Sequence, residues 1–386
     1  MDKITTNEIK KTNRANIFTT IYQLGETSKQ QLADVLQLSM PTVTNNLKEL
    51  LDLNLIKREG YYSSSSAGGR KARIISCNRT ARIAVGVEVL LQNVHIVAAD
   101  LYGEILAKDM LELPFECSGL YYCAVGNWVN SFILSLPYPR EAILGVAFAI
   151  QGLVSSDHTE VIYGEILGST GLKLSEFSSH VKYPCLFLHD TEAAAFTEVW
   201  NHTEKQDILY LHLNHNFGSA LILGGKMQSG GGRISGTIEH MCLYPDGRPC
   251  YCGRKGCVES YCSLNALKQE AGIEHIQDFF EKLRKGDAAF LKIWKRYLYN
   301  LAMAINNALH VIDCNVILGS RIRTWLTQED IEQLQAYMKE LDSFAFHSRP
   351  VMLGSSSPEI AAVGAALFQI SEFFEKDPVF TGDTGE

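Results

Sequence analysis

Between residues 240 and 260 the chain reads HMCLYPDGRPCYCGRKGCVES. His240, Cys250, Cys252 and Cys257 fall within 18 residues, interrupted by Pro and Gly. Thiolates plus an imidazole at loop spacing suit a tetrahedral zinc ion. Four protein ligands leave no open position for water, so the expected zinc is structural, one per chain. Cys242 and Cys262 lie nearby and are read instead as buried reduced thiols. The opening MDKITTNEIKKTN is polar and lacks the apolar core of a signal peptide. No window approaches the roughly 20 apolar residues of a membrane helix. The expectation is a cytoplasmic chain with no membrane partner, whose ten cysteines stay reduced, and there a cysteine cluster means metal before disulfide.

The 386 residues, 46% hydrophobic and 20% charged, describe a globular protein of two to three domains. Its net charge of −8 is uneven. Residues 1–75 hold 11 Lys and Arg against 7 Asp and Glu, while the remainder holds 24 against 36. Nucleic acid is repelled by the body and tolerated by the N-terminus.

The N-terminal 76 residues carry a helical pattern to match. Ile17, Ile21 and Leu24 recur at helical spacing in RANIFTTIYQL, which Gly25 closes. Ser28 caps a second helix with Leu32, Val35 and Leu36 facing inward. Ser39 caps a third, with Pro41 in its first turn. Val43, Leu47, Leu50 and Leu51 make that helix's apolar face; Thr42, Thr44, Asn45 and Asn46 make an outer face suited to base edges and phosphates. Helix, short turn, helix with this polarity is a helix-turn-helix pattern. NLIKREG and ARIISCN then read as two strands around YYSSSSAGGRK, a wing whose tip offers Arg70 and Lys71 to a minor groove or phosphate backbone. The expected partner is duplex operator DNA.

Beyond residue 80, strand-like runs (AILGVAFAI at 142–150, PCLFLHD at 184–190, DILYLHL at 207–213, SALILGG at 219–225, then NVILGS) alternate with helical patterns, including roughly 285–311 and a final AAVGAALFQISEFF. The pattern predicts a two-lobed α/β body. Expected domains are a winged helix-turn-helix over 1–76, a first lobe over 80–195 completed by a C-terminal helix at 360–378, and a second lobe over 196–359. Residues 74–84 are the expected joint between the DNA-binding head and the body.

With Gly236-Thr237-Ile238-Glu239-His240 and the unbroken C-x-C-G-x-x-G-C-x-E of residues 250–259, the chain resembles the ROK family of repressors, open reading frames and sugar kinases, in its xylose-repressor-like and N-acetylglucosamine-repressor-like branch. The resemblance spans the whole chain. It implies an actin-like, ribonuclease-H-like sugar-kinase fold with a cleft between lobes, and it maps the family's zinc ligands onto His240, Cys250, Cys252 and Cys257. Family kinases grip sugar hydroxyls with Asn-Asp, the Glu of G-E-x-x-H, that His, and the Glu after the last Cys. Those positions are His189, Asp190, Thr237, His240 and Glu259 here, so one amide and one carboxylate are exchanged. The kinases' D-x-G-G-T reads Glu88-Val89-Leu90-Leu91-Gln92, and their second glycine loop reads Asn214-His215-Asn216-Phe217-Gly218. Leucine copies neither glycine's conformational freedom nor its close approach to phosphate. Gly319 and Gly364 are read as helix–strand packing positions. The function implied is a sugar-responsive repressor of carbohydrate-metabolism genes, bound to a palindromic operator as a homodimer or higher oligomer and released by a sugar effector. Some members of the family sense a sugar-transport protein. The alternatives are an active ATP-dependent sugar kinase with a DNA-binding appendage, and a DNA-binding protein whose body only dimerises.

Overall fold

The structure, a computed structural model, describes residues 6–62, 72–201, 206–319, 321–344, 350–376 and 380. At the N-terminus α1 (Thr6–Leu24) buries Ile17, Phe18 and Ile21 against α2 (Lys29–Leu36) and α3 (Met40–Asp52). Ser28 and Ser39 cap the latter two helices as expected, accepting from the amides of Gln31 and Thr42. Three short strands, β1 (Glu26–Thr27), β2 (Ile56–Tyr61) and β3 (Arg73–Cys77), pair antiparallel in the order β1-β3-β2 and complete a winged helix. The wing tip, with Arg70 and Lys71, lies outside the described residues. Val35 was expected inside but is 58% exposed, because Leu32 and its neighbour Ala33 take the inward face.

The body contains two five-stranded sheets. The first is built from β4 (Ile83–Val89), β5 (Val94–Asp100), β6 (Ile105–Leu111), β7 (Ile143–Ile150) and β10 (Cys185–His189), with α4 (Gly119–Ser135), the small hairpin β8 (Leu153–Val154) and β9 (Val161–Tyr163), and α5 (Leu174–Ser178) between its later strands. Helix α6 (Asp190–Asn201) follows directly. The second sheet takes β11 (Ile208–Leu213), β12 (Phe217–Leu223), β13 (Lys226–Met227), β14 (Asn315–Gly319) and β15 (Val351–Leu353). Helices α7 (Glu259–Cys262), α8 (Leu264–Ala271), α9 (Ile276–Arg284), α10 (Ala288–Leu309) and α11 (Gln328–Leu341) belong to this half, and α12 (Ile360–Lys376) ends the described chain's helices.

The sheets run β10-β7-β4-β5-β6 and β15-β14-β11-β12-β13. Numbered within each sheet, both orders read 5-4-1-2-3: an antiparallel meander of three strands, then two strands joined parallel to the first. One topology used twice is the two-lobed, actin-like arrangement. Between the sheets lies a core of small residues, among them Ala147, Ala149, Ala193, Ala194, Ala361 and Ala365, with the larger Tyr210 and Ile317. Helix α12 sits there because two glycines let it approach. A Cβ on Gly86 of β4 would meet the carbonyl of Ala362, and one on Gly364 would meet that of Ala193 in α6. Gly364 therefore serves helix-on-helix packing, not the helix–strand contact read from the sequence.

The head is more than tethered. Ile17, Phe18 and Ile21 of α1 share a continuous core with Leu101 and with Leu367, Ile370 and Phe373 of α12. The joint thus extends well beyond residues 74–84.

Candidate functional site

The cysteine-rich loop is folded by its own turns. Cys250 N–H donates to Arg254 O at 2.8 Å, and Gly253 N–H donates to Cys250 O at 3.0 Å. Gly256 has a φ of +77° and its missing Cβ leaves room for the carbonyl of Tyr244. These turns bring His240, Cys250, Cys252 and Cys257 together, with their four ligand atoms all within 4.8 Å of one another. Cys250 Sγ lies 3.8 Å from His240 Nδ1, and Cys252 Sγ lies 3.7 Å from Cys257 Sγ. A tetrahedral zinc with Zn–S of about 2.3 Å and Zn–N of about 2.0–2.1 Å has ligand edges of roughly 3.5–3.8 Å, so the quartet fits that ion. Burial lowers the pKa of the His240 imidazole, aided by the Arg254 cation, which favours the neutral ring a metal needs. The other ring nitrogen, Nε2, faces Tyr251 Oη at 3.3 Å. Of the two thiols set aside, Cys262 is buried as expected; Cys242 is exposed, a correction.

Beside this loop lies a cavity of about 490 Å³. Its walls come from the β8–β9 hairpin, the β10–α6 junction, the β11–β12 turn, the segment before His240 and the metal loop. His189, Asp190, Thr237 and His240 line it together. His189 Nε2 is 3.3 Å from Asp190 Oδ1, which also accepts the Thr191 amide at 2.7 Å at the start of α6.

Glu259 stands elsewhere. It does not line the cavity, because both carboxylate oxygens are occupied: Asn216 Nδ2 donates to one at 3.0 Å and Phe217 N–H to the other at 2.6 Å. Burial pushes its carboxyl up to about 7. The residue braces the β11–β12 turn, and Asn216 and Phe217 reach the cavity in its place. A carboxylate that does line the wall, beside Asp190 and Glu165, is Glu239, which the sequence reading passed over. Ser219 Oγ donates to Glu239 Oε2 at 2.6 Å while accepting the Ile238 amide at 2.7 Å. Burial pushes Glu239 up to about 8. Thr237 occupies the motif's acidic position, and its hydroxyl donates to Ile234 O at 2.7 Å. The acid is moved two residues along, a shift legible in Gly236-Thr237-Ile238-Glu239-His240 had position 239 been weighed. His212 also lines the floor; burial holds its imidazole down to about 4.

Backbone groups of the two loops that differ from the kinases are engaged within the protein, Phe217 N–H by Glu259 in the second and those of Leu90 and Leu91 in the first. Leu90 N–H bonds Asn93 O at 3.0 Å, and Leu91 O accepts the Phe115 amide at 2.9 Å. Glu88, at the place of the kinases' aspartate, is buried 3.4 Å from His95, and burial raises its carboxyl pKa.

On α3, Asn45 is exposed and Thr42 and Thr44 are half-buried at the surface. Thr44 Oγ1 donates back to Met40 O at 2.6 Å. Asn46 is corrected: only 2% exposed, it donates from Nδ2 to Thr42 O at 2.9 Å. Three residues after Val43 and one before Leu47, it falls on the inward face.

A family model described as the ROK family matches residues 84–368, and one described as the MarR family matches residues 13–60. The xylose repressor of Bacillus subtilis (strain 168) is 21% identical over 381 residues, covering 95% of this chain and 97% of that protein. The N-acetylglucosamine repressor of Escherichia coli O157:H7 is 26% identical over 264 residues, 68% of this chain and 64% of that protein. Among solved structures, a ROK family transcriptional regulator described as a homologue of the E. coli MLC protein superposes with a TM-score of 0.76 at 17% identity, covering 97% of this chain and 99% of that one. The ROK hexokinase of Thermus thermophilus superposes with a TM-score of 0.63 at 19% identity, over 76% of this chain and 99% of its own.

Proposed function

Because the chain belongs to the ROK family, we propose that it is a sugar-responsive transcriptional repressor, binding palindromic operator DNA as a dimer and lacking kinase activity. Relatives along its whole length are named repressors, and the residues ahead of the ROK match carry a winged helix. The observation that carries the reading is the path of α6. Its first residue, Asp190, lines the cavity; at its far end Trp200 Nε1 donates to Tyr102 O at 3.4 Å. Tyr102 in turn clasps Tyr22 of the DNA-binding head. A ligand that displaces Asp190 therefore acts on an element in contact with the joint between body and head.

His189, Asp190, Glu239 and His240, with Thr237 at the edge, are the residues we assign to sugar hydroxyls. His240, Cys250, Cys252 and Cys257 would hold zinc, which fixes the loop carrying Tyr251 and His240 beside the cavity. Thr42, Thr44 and Asn45 are assigned to the operator, with Arg70 and Lys71 on the wing. In a symmetric dimer the half-sites lie about 34–36 Å apart or a multiple of it, and the operator tolerates little change in head spacing. A sugar favouring another spacing weakens DNA binding.

The kinase alternative is tested by incubating the chain with ATP, Mg²⁺ and a panel of sugars. No sugar phosphate is expected, because the glycines that let phosphates approach in a kinase are replaced by Leu90 and Leu91 in one loop and by Asn214 to Phe217 in the other, where the Phe217 amide is taken by Glu259. Turnover of any sugar would overturn the reading.

A further inference from the structure

The cavity is graded in an unusual direction. Its floor is polar and buried: His189, Asp190, His212 and Glu239. Its mouth is open and largely apolar, with Glu165 and Arg254 as its charged members. Ile162 on β9 is 40% exposed, Ile234 in the glycine-rich segment before His240 is 64% exposed, and both line the cavity with Leu153, Tyr163, Ile166 and Tyr251. Soluble surfaces ordinarily place apolar groups inside and polar ones at the rim, and large aliphatic side chains gathered in the open around one cavity mark a binding surface. The segment bearing Ile234 is held in place. Arg233 donates from Nε to Val154 O at 3.0 Å and pairs with Glu192 at 2.8 Å, so the exposed isoleucine is presented by a fixed loop.

Resting on the sugar-binding reading above, we propose that the effector is a glycoside: a hydroxylated ring seated on the polar floor, joined through its anomeric carbon to a less polar ring held between Ile162 and Ile234. The floor supplies mainly hydrogen-bonding side chains, which match hydroxyls, with Phe217 beside them to pack one face of the hydroxylated ring. At the mouth Glu165 and Arg254 are the charged groups, while the aliphatic faces of Ile162 and Ile234 beside them gain by losing contact with water. The cavity's volume, within the range of about 300–1,000 Å³ typical for ligands of drug size, accommodates two rings. The less polar ring is an aryl group or the apolar face of a second sugar.

The test is calorimetric titration of the full, zinc-loaded chain with matched sets: free glucose, xylose, galactose and N-acetylglucosamine, each beside its methyl glycoside, its phenyl glycoside and a disaccharide carrying it at the non-reducing end. For the sugar that fits the floor, the phenyl glycoside or the disaccharide binds about tenfold or more tightly than the free and methyl forms. A phenyl gain alone identifies the ring as aryl, a gain shared by the disaccharide identifies it as a sugar face, and both support the proposal. Ile234→Ser, at an exposed side chain, erases that gain and leaves the free sugar's affinity unchanged. Equal affinities across a set, or a loss in Ile234→Ser that is the same for free sugar and glycoside, overturn the proposal and leave sugar sensing standing. Absence of binding by every compound overturns both.

Discussion

Tyr22 and Tyr102 hold each other across the boundary between the DNA-binding head and the body. Their rings stack 4.3 Å apart; Tyr22 Oη donates to Leu101 O at 3.0 Å and Tyr102 Oη donates to Tyr22 O at 3.0 Å. Each phenol thus reaches backbone on the other side. Arg79 lies over the Tyr102 ring at 4.7 Å and pairs with Asp100 at 2.8 Å, tying the end of the head's last strand into the same joint.

Tyr102→Phe leaves the Tyr22 carbonyl without its partner, a loss of about 1 kcal/mol at a half-buried site. The expected result is a small drop in thermal stability, near-normal operator affinity and a blunted response to effector. Retention of the full response would show that the joint does not transmit.

Cys252→Ser removes one of the four residues assigned to zinc. Zinc content measured by atomic absorption should fall well below one per chain, and the midpoint of thermal unfolding should fall with it, since structural zinc contributes on the order of 10 kcal/mol to the fold it organises. Chelation of the wild type should reproduce the loss. A variant that keeps one zinc per chain would contradict the ligand set.

Positions 45 and 46 should part company. Asn45→Ala changes an exposed side chain, so it alters operator sequence preference with stability unchanged. Asn46→Ala deletes a buried donor to Thr42 O, lowering stability by about 1–2 kcal/mol without redirecting preference. Selection from a randomised operator library, run beside denaturant unfolding, reads both effects. Arg70→Ala should weaken binding to all sequences and flatten its dependence on salt.

Much of this was legible in the sequence because the informative residues sit close together in it. His240, Cys250, Cys252 and Cys257 occupy one loop, so spacing alone brings them together. The caps Ser28 and Ser39 act on amides three residues away. The strands around Phe148 and Tyr210 announce themselves as apolar runs, and their alternation with helices gave the two-lobed α/β body, while the doubled strand order is seen only in the fold. What stayed hidden depends on contacts between distant segments. Glu259 turns from the cavity because Asn216 and Phe217, more than forty residues earlier, claim its oxygens. Glu239 reaches the wall because Ser219 on β12 fixes it. Asn46 looks like a recognition residue by type and is an internal one by register. The clasp of Tyr22 on Tyr102 spans 80 residues and leaves no local pattern.

His212 gives a pH signature. Burial lowers its imidazole from the ordinary 6.5 to about 4, with Asp190 opposing and His189 adding to the shift. The folded state therefore holds the ring neutral where the unfolded chain takes up a proton. The sign follows: this contribution is whole above pH 6.5, shrinks as pH falls, and is gone below about 4. The loss amounts to about 3 kcal/mol across that window. Compared with His212→Asn at each pH, the wild type should lose that much more stability between pH 7 and 4. Parallel stability curves would show that His212 is not buried in its neutral form.

The central claim is that a sugar-class ligand, without ATP, loosens the chain from its operator. Fluorescence anisotropy on a labelled palindromic operator, titrated with the full chain in ATP-free buffer with and without each sugar and glycoside, measures it directly. The account predicts that one ligand weakens operator binding by about 5- to 150-fold, that operator DNA weakens that ligand's binding by the same factor, and that Asp190→Asn removes the effect while leaving ligand-free operator affinity intact. A ligand that acts only when ATP is present, or a response that survives Asp190→Asn undiminished, contradicts it.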